Sequence, residues 1–435
     1  MKNIKIINFL ILFIVVLLPT SVLEKYLPVH PAIFIMFLLF LIVFLNTLLT
    51  GKIIKISTPV KFFIFVLFLI FLLNILSLAF APPMPDYADS YNISGLMSPN
   101  NIRIYGVFSY LKSIFFVLTL VLIPISKQFF QKIIKYHIFT SFIVSSFGIL
   151  SVIYYFLTKK AVFGVITGWI MPRLSSVSIE PQAFASYLLT AIPFIIYALL
   201  QNPSKIFSRK NLWIFLIIDI IAFILTFSTG GFVAALAVFI LFLFIIFLKA
   251  RYISKKRLIQ LFTIFIIIII VAFSFWSDAI VSSVEKLTLL QDPSLSSAAV
   301  RIHFWQIGVE MIKDHFLLGV GPESYGYFYE QYAGQKSPEA LVQPPQNIII
   351  GMAANLGIFG GFLFLLVFLI PFWLMFKYIR IKDQDISFFA KSLSSVILAL
   401  FVQHLTFWSP YAFFFWFFIG IVLSFYNNII FLNKK

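Results

Sequence analysis

The chain has 435 residues, of which 62% are hydrophobic and 11% charged, with a mean hydropathy of +1.06. A soluble core cannot absorb that much apolar surface, whereas a bilayer accepts it directly, so an ordinary water-soluble domain is excluded. The net charge of +17 is strung between apolar runs and so describes membrane orientation better than nucleic-acid binding, and the absence of cysteine excludes disulfides, thiolate metal sites and cysteine nucleophiles.

In chain order the apolar runs are 5–23, 31–49, 60–81, 107–126, 133–157, 181–200, 211–228, 231–248, 258–276, 347–376, 386–408 and 411–429. Most match the ~20 residues that carry a helix across the hydrocarbon core. They predict an all-α membrane protein, a single polytopic domain over 1–435 with about twelve transmembrane helices. The first run looks like a signal peptide, but it lacks a small-residue cleavage site and many spans follow, so it reads as a retained helix. Only Thr229 and Gly230 separate the seventh run from the eighth. The tenth is long and holds Gly351, Gly357, Gly360 and Gly361, which predicts a start outside the membrane or a kink.

Orientation follows from the basic residues. One set of loops holds Lys2, Lys5, Lys52, Lys55, Lys61, Lys127, Lys132, Lys135, Lys205, Arg209 and Lys210. It continues with Lys249, Arg251, Lys255, Lys256, Arg257, Lys377, Arg380, Lys382, Lys434 and Lys435, together about two thirds of the 32 lysines and arginines. The positive-inside rule makes these loops cytoplasmic, and an even number of spans puts both termini there. All acidic residues except Asp219, Asp383 and Asp385 lie in or beside the opposite loops. No phosphate-cradling glycine loop and no transporter-like repeat is evident, and His30, His137, His303, His315 and His404 lack metal-ligand spacing. No cofactor and no metal are therefore expected.

Three outward segments are long enough to build a site: 82–106, 158–180 and 277–346. The first, with Pro82, Pro83, Met84, Pro85, Asp86, Asp89, Asn100 and Asn101, reads as a surface connector. In the second, Pro181 suits a first helical turn and Glu180 then faces the positive end of that helix. Arg173 lies just upstream, and the two form either a salt bridge at a helix mouth or a substrate-binding pair.

The third segment, between the ninth and tenth spans, exceeds an ordinary connector. Asp292-Pro293 reads as a helix start. Val300, Phe304, Ile307 and Met311 recur at helical spacing, opposite a polar stripe of His303, Gln306, Glu310 and Asp314. That predicts an amphipathic helix on the outer membrane face or on the bundle. Leu318-Gly319-Val320-Gly321-Pro322 stops it, and Tyr325, Tyr327, Phe328, Tyr329 and Tyr332 follow as interfacial anchors or as faces for stacking sugars.

Arg301-Ile302-His303-Phe304-Trp305, Leu318 to Pro322, Pro345-Gln346-Asn347 and Asn355-Leu356-Gly357-Ile358-Phe359-Gly360-Gly361, in that order, resemble the Wzy/O-antigen ligase superfamily. The resemblance extends to Arg173, to Glu180-Pro181, and to the layout with a large outward loop near the C-terminus. There are two departures: the family's His-Asn reads Gln346-Asn347, and its Ser-Arg-Gly reads Ser228-Thr229-Gly230. Ligases of the family carry Asn-Pro where this chain has Glu180-Pro181, so the acid resembles the polymerase branch.

The resemblance implies a GT-C-like fold in a bacterial cytoplasmic (inner) membrane and glycosyl transfer outside it. The implied activity is a polymerase of O-antigen, capsule or similar polysaccharide that joins undecaprenyl-diphosphate-linked repeat units. The lipid diphosphate is itself the leaving group, so the transferase would need no metal. Arg173 and Arg301 would bind the diphosphate, Glu180 would be catalytic, and Gln346, Asn347 and Tyr325 would contact substrate. A chain-length regulator and a flippase are the further partners implied. Two alternatives stay open: a ligase that passes the glycan to another acceptor, and a transporter of lipid-linked sugars. Against the transporter, the spans hold very few charges, namely Asp219, Lys391 and Lys112.

The topology has a direct test, because the chain has no cysteine of its own. A membrane-impermeant thiol reagent applied to intact cells should label Ser337→Cys and leave Ser254→Cys unlabelled. The reverse pattern would invert the assignment.

Overall fold

The computed structural model describes residues 2–20, 31–50, 55–86, 99–160, 162–167, 172–201, 206–247, 263, 297–334 and 345–431. The ninth predicted span, apart from Thr263, lies outside the described residues, as does the Asp292-Pro293 start.

In chain order the helices are α1 (Lys2–Leu17), α2 (Pro31–Thr50), α3 (Thr58–Phe80), α4 (Pro99–Leu122) and α5 (Lys127–Thr158). A two-residue hairpin follows, β1 (Val165–Ile166) with β2 (Arg173–Leu174), antiparallel, with Val165 opposite Leu174. Then come α6 (Pro181–Gln201), α7 (Arg209–Leu225), α8 (Thr229–Phe247), α9 (Ser297–Asp314) and α10 (Tyr325–Ala333). The chain closes with α11 (Ile348–Phe376), α12 (Gln384–His404), α13 (Phe413–Phe425) and a π turn, Tyr426–Phe431. Among the described residues 8 helices are long and apolar enough to cross a membrane; the apolar parts of α1 and α2, and α7, are shorter. The molecule is an all-α membrane protein.

Two helices start earlier than hydropathy predicts. The Ser126 hydroxyl accepts from the Phe129 N–H at 3.2 Å, which begins α5 at Lys127 and carries Lys127, Lys132 and Lys135 on its first turns. Helix α4 begins at Pro99, so the last third of the segment read as a connector is helical and carries Arg103, Tyr105 and Gly106.

The bundle is sorted by exposure to lipid. In α3 the buried residues Val60, Phe63, Leu67, Ile70, Asn74 and Ser77 fall three or four apart, while Phe62, Phe65 and Phe68 face outward more than half exposed. In water such an outer face would be an aggregation site, and in a bilayer it is merely solvated. Helices α6, α12 and α13 are buried nearly all round and form the centre, with α6 against α12 and α8, and α13 against α4.

Several charged groups inside the bundle are tied to partners on neighbouring helices. The Asp219 carboxylate on α7 accepts from Ser141 at 2.8 Å and Ser145 at 2.7 Å, both on α5. Lys391 is 2% exposed and donates to Gln201 Oε1 at 2.9 Å, tying α12 to the end of α6. At the basic end, Lys127 meets Asp383 at 3.1 Å and Asp385 at 2.8 Å and joins the starts of α5 and α12.

The tenth run is broken as its glycines predict. Gly357 has φ 79° and ψ 174°, and α11 is two helical pieces about this residue. The break receives the chain that follows α9. The Val320 N–H donates to Ala354 O at 2.9 Å, the Gly321 N–H to Asn355 O at 3.0 Å, and the Ile358 N–H to Phe316 O at 2.9 Å. Asn355 returns a bond through Oδ1, which accepts from the Tyr325 N–H at 2.9 Å. A Cβ on Gly357 would run into the Leu317 carbonyl, and one on Gly319 would lie 2.5 Å from the Ala354 and Asn355 oxygens. Gly319-Val320-Gly321 and the Asn355 to Gly361 motif are therefore two halves of one joint.

Gly357→Ala should lower the thermal midpoint of the detergent-solubilised protein by several degrees, since left-handed or mirror-region backbone costs about 1–3 kcal/mol before the clash with Leu317 is counted. An unchanged midpoint would show that the joint is not needed for stability.

Candidate functional site

The site lies at the end of the bundle that carries the segments 158–180 and 297–346, where the sequence places its motifs. Residues 172–180 are fastened to the bundle before they reach α6. Leu174 is fully buried against Gly148 of α5, where a Cβ would lie 2.9 Å from its Cδ2. Ser176 Oγ donates to Val144 O at 2.7 Å, and Ser178 Oγ to Pro19 O at 3.0 Å. The Glu180 carbonyl accepts the Phe184 N–H at 3.1 Å, which puts Glu180 at the mouth of α6 as predicted.

These anchors aim Arg173 at the break between α7 and α8. Its Nε donates to Thr226 O at 3.0 Å and its Nη2 to Phe227 O at 3.2 Å. A helix end leaves its last carbonyls unpaired, and a guanidinium satisfies two at once. The break stays tight because Gly231 sits beside Ala185 of α6, 3.1 Å from its methyl to an added Cβ, and the Gly231 N–H donates to Ser228 Oγ at 3.1 Å.

Arg301 arrives from the other direction on α9. Phe304, Ile307 and Met311 are buried at 4% exposure or less, and Gln306, Glu310 and Asp314 face outward, so the predicted amphipathic helix lies on the bundle. It packs on α11 where Gly308 admits Ile350, 2.5 Å from an added Cβ. In that position Arg301 and Arg173 act on one another electrostatically, and so do Arg173 and Glu180. Burial, then the Arg301 charge, lowers the Arg173 pKa, with Glu180 opposing; burial also lowers that of Arg301. Glu180 is exposed by its surface area, yet the protein crowded round its carboxyl raises it above the ordinary glutamate value, with Arg173 pulling the other way.

The structure thus brings together Arg173, Glu180 and Arg301. Asn347 serves instead as a helix cap, because its Oδ1 accepts from the N–H groups of Ile349 at 3.0 Å and Ile350 at 3.1 Å and so starts α11. Gln346 precedes that cap with a left-handed φ of 50° and a partly exposed side chain. Tyr325 is not at an open surface. It is 1% exposed and its hydroxyl donates to Phe304 O at 2.6 Å, so it fixes α10 to α9 and leaves no ring face for a sugar.

Three residues unmarked in the sequence belong to this end of the molecule. Arg103 donates through Nη2 to Pro82 O at 2.7 Å and Val320 O at 2.8 Å, and through Nε to Ser324 Oγ at 2.9 Å. Glu323, directly after the Gly-Val-Gly-Pro turn, accepts from the Tyr411 hydroxyl at 3.0 Å. Tyr411 completes the set. Nothing local could reveal these groupings, because the partners are far apart in the chain. Among the described residues, Lys159, Ser176, Phe227, Glu323 and Gln346 are the non-glycine positions of positive φ, and all lie at this end. Strained backbone of this kind collects at functional sites, where surrounding structure holds it in place.

No curated protein matches the chain. Residues 214–365, from α7 to the first turns after the Gly357 break, match the family model described as O-antigen ligase; Arg173 and Glu180 lie before the matched stretch. The matched residues contain the α7–α8 break, Arg301, the glycine joint and the Asn347 cap. Over that stretch, about a third of the chain, this multi-pass membrane protein is similar to the O-antigen ligase family.

Proposed function

We propose that the protein is a polysaccharide polymerase that transfers a glycan from undecaprenyl diphosphate to a hydroxyl of a second lipid-linked repeat unit, on the outer side of a bacterial cytoplasmic membrane. The observation that carries this reading is the placement of two partly buried guanidinium groups, Arg173 and Arg301, within reach of each other's charge beside a single carboxylate. Like charges held together in a medium of low polarity cost free energy, and a dianionic ligand between them turns that cost into binding.

In the reaction the acceptor oxygen forms a bond to the anomeric carbon of the donor as the bond from that carbon to the diphosphate oxygen breaks. The acceptor proton passes to Glu180, and the electron pair leaves with the lipid diphosphate. Arg173 and Arg301 meet the charge that develops on the leaving group, and their planar forks can each pair two oxygens. Arg173 is fixed in place by the carbonyls of Thr226 and Phe227, so it needs little reorganisation as the charge grows. A carboxyl raised above its ordinary value is a better proton acceptor than a free glutamate. Gln346 orients the acceptor hydroxyl but, being neutral, cannot take its proton. The matched family's description favours a second reading, transfer to an acceptor other than a lipid-linked repeat. The two are separated by which acceptor purified protein extends.

Arg301→Lys and Arg173→Lys keep the charge and lose the fork, so extension of lipid-linked repeats should fall at least ~10-fold, equivalent to ~1.4 kcal/mol. Normal rates in both purified variants would make the arginines structural.

Glu180→Gln should abolish most extension while the protein remains folded in the membrane, and Gln346→Ala should do less damage. Activity of the unaltered protein should fall as pH drops through a limb above the ordinary glutamate range, where Glu180 takes up its proton. Substantial extension by Glu180→Gln, or greater loss in Gln346→Ala, would move the acceptor base elsewhere.

A further inference from the structure

A second polar cluster lies at the same end of the bundle, built from α4, the turn before α10, and the turn between α12 and α13. Glu323 sits in it with a left-handed φ of 54°. Its stem is pressed against α4, where a Cβ on Gly106 would lie 3.1 Å from Glu323 Cγ and 3.0 Å from Pro322 Cβ. A glycine would take this backbone conformation without strain and fill the turn as well, so the fold bears a cost to place a carboxylate here.

That carboxylate has two neutral donors, the Tyr411 hydroxyl at 3.0 Å and the Trp408 indole. Among the described residues it has no ion-pair partner. The nearby cation on α4, Arg103, directs its bonds to the carbonyls of Pro82 and Val320 and to Ser324, and so holds the turn on which Glu323 rides. The rings around the acid are partly open. Tyr105 is 40% exposed and meets Tyr411 edge-on with centroids 6.4 Å apart, while Trp408 and Tyr411 are half-buried. The Trp408 ring and Pro345 both close on the face of Gly351, so the cluster adjoins the Gln346 corner of the proposed site.

We propose that Glu323, Trp408, Tyr411 and Tyr105 form a binding subsite for a neutral, hydroxyl-rich glycan, in which the carboxylate accepts from adjacent sugar hydroxyls and the rings cover an apolar sugar face. The assignment rests on the glycosyl-transfer reading for what the glycan is: the sugar end of a lipid-linked repeat, held beyond the diphosphate. A carboxylate has acceptor sites for about four hydrogen bonds, and Tyr411 and Trp408 use only part of that capacity. Aromatic edges and faces beside a hydroxyl acceptor match the alternation of C–H and O–H groups on a sugar. Burial raises the Glu323 carboxyl to about 7 against the pull of its two donors, so its ionised form is incompletely solvated by the protein and gains from further donors. These residues would be binding and positioning groups, and the chemistry would remain with Arg173, Arg301 and Glu180.

The test uses soluble oligosaccharide fragments, without lipid or diphosphate, released from the surface polysaccharide of the producing cell. Their binding to the detergent-solubilised full chain is measured by calorimetry. The unaltered protein should bind them, Glu323→Gln and Tyr105→Ala should each weaken binding at least fivefold, and Arg301→Lys should leave it unchanged because the fragments carry no diphosphate. In the extension assay Glu323→Gln should raise the acceptor KM more than it lowers kcat. Thermal midpoints check folding, and the exposed Tyr105→Ala keeps the test available if Glu323→Gln is unstable. Absence of fragment binding to the unaltered protein, or equal binding by both variants, overturns the subsite. Failure of the polymerase reading shows up separately, as no transfer from a lipid-diphosphate donor by protein that still binds fragments.

Discussion

Backbone amides and carbonyls have no water to turn to inside a membrane-embedded bundle, so every break in a helix must find its bonds within the protein. The break in α11 at Gly357 meets that constraint by taking in another stretch of chain. Carbonyls freed at Ala354 and Asn355 receive the N–H groups of Val320 and Gly321, and the Ile358 N–H reaches Phe316. Ser77 of α3 adds its hydroxyl to the same place, at 2.7 Å from Leu318 O and 3.0 Å from Asn355 O. Arg103 clamps the far side through the Val320 carbonyl. The positions of α9, α10 and the Glu323 turn all descend from this joint, and through α9 so does the position of Arg301.

The electrostatics of the site follow from the same economy of partners. Elsewhere in the bundle, charged groups are held locally: Asp219 is hydrogen-bonded by two serines, Lys391 donates to a glutamine, and Lys127 pairs with two aspartates. At the loop end Arg173 instead feels the like charge of a second arginine, Arg301, with Glu180 opposing it. Arg173 is bonded to carbonyl dipoles, which steady its fork without cancelling its charge. The α7–α8 break that Arg173 reaches and Arg301 itself both lie within residues 214–365, the stretch that matches the O-antigen ligase family model.

Composition and hydrophobic period were enough to determine much of the fold. Eleven of the predicted apolar runs correspond to helices of the structure, since a span is decided by some twenty consecutive side chains meeting one uniform solvent. The amphipathic α9 was legible from Phe304, Ile307 and Met311, and the kink from the run of glycines that includes Gly357, because both are local properties of the chain. The motif residues Arg173, Glu180 and Arg301 were legible as residue types at particular helix ends, and the fold does collect them.

Only the tertiary structure decided what each polar residue bonds to. Tyr325 looked like a substrate contact and turned out to hold α10 to α9, because its partner, Phe304 O, comes within reach only after folding; Asn347 instead makes a local cap to the first amides of α11. Arg103 and Glu323 gave no local signal, since their partners lie at Pro82, Val320 and Ser324 in one case and at Tyr411 in the other. A hydrophobic pattern repeats along the chain and can be read in one dimension. A hydrogen bond or a pair of like charges depends on a few ångströms across the bundle, and that separation exists only once α4, α9, α11 and α12 have packed.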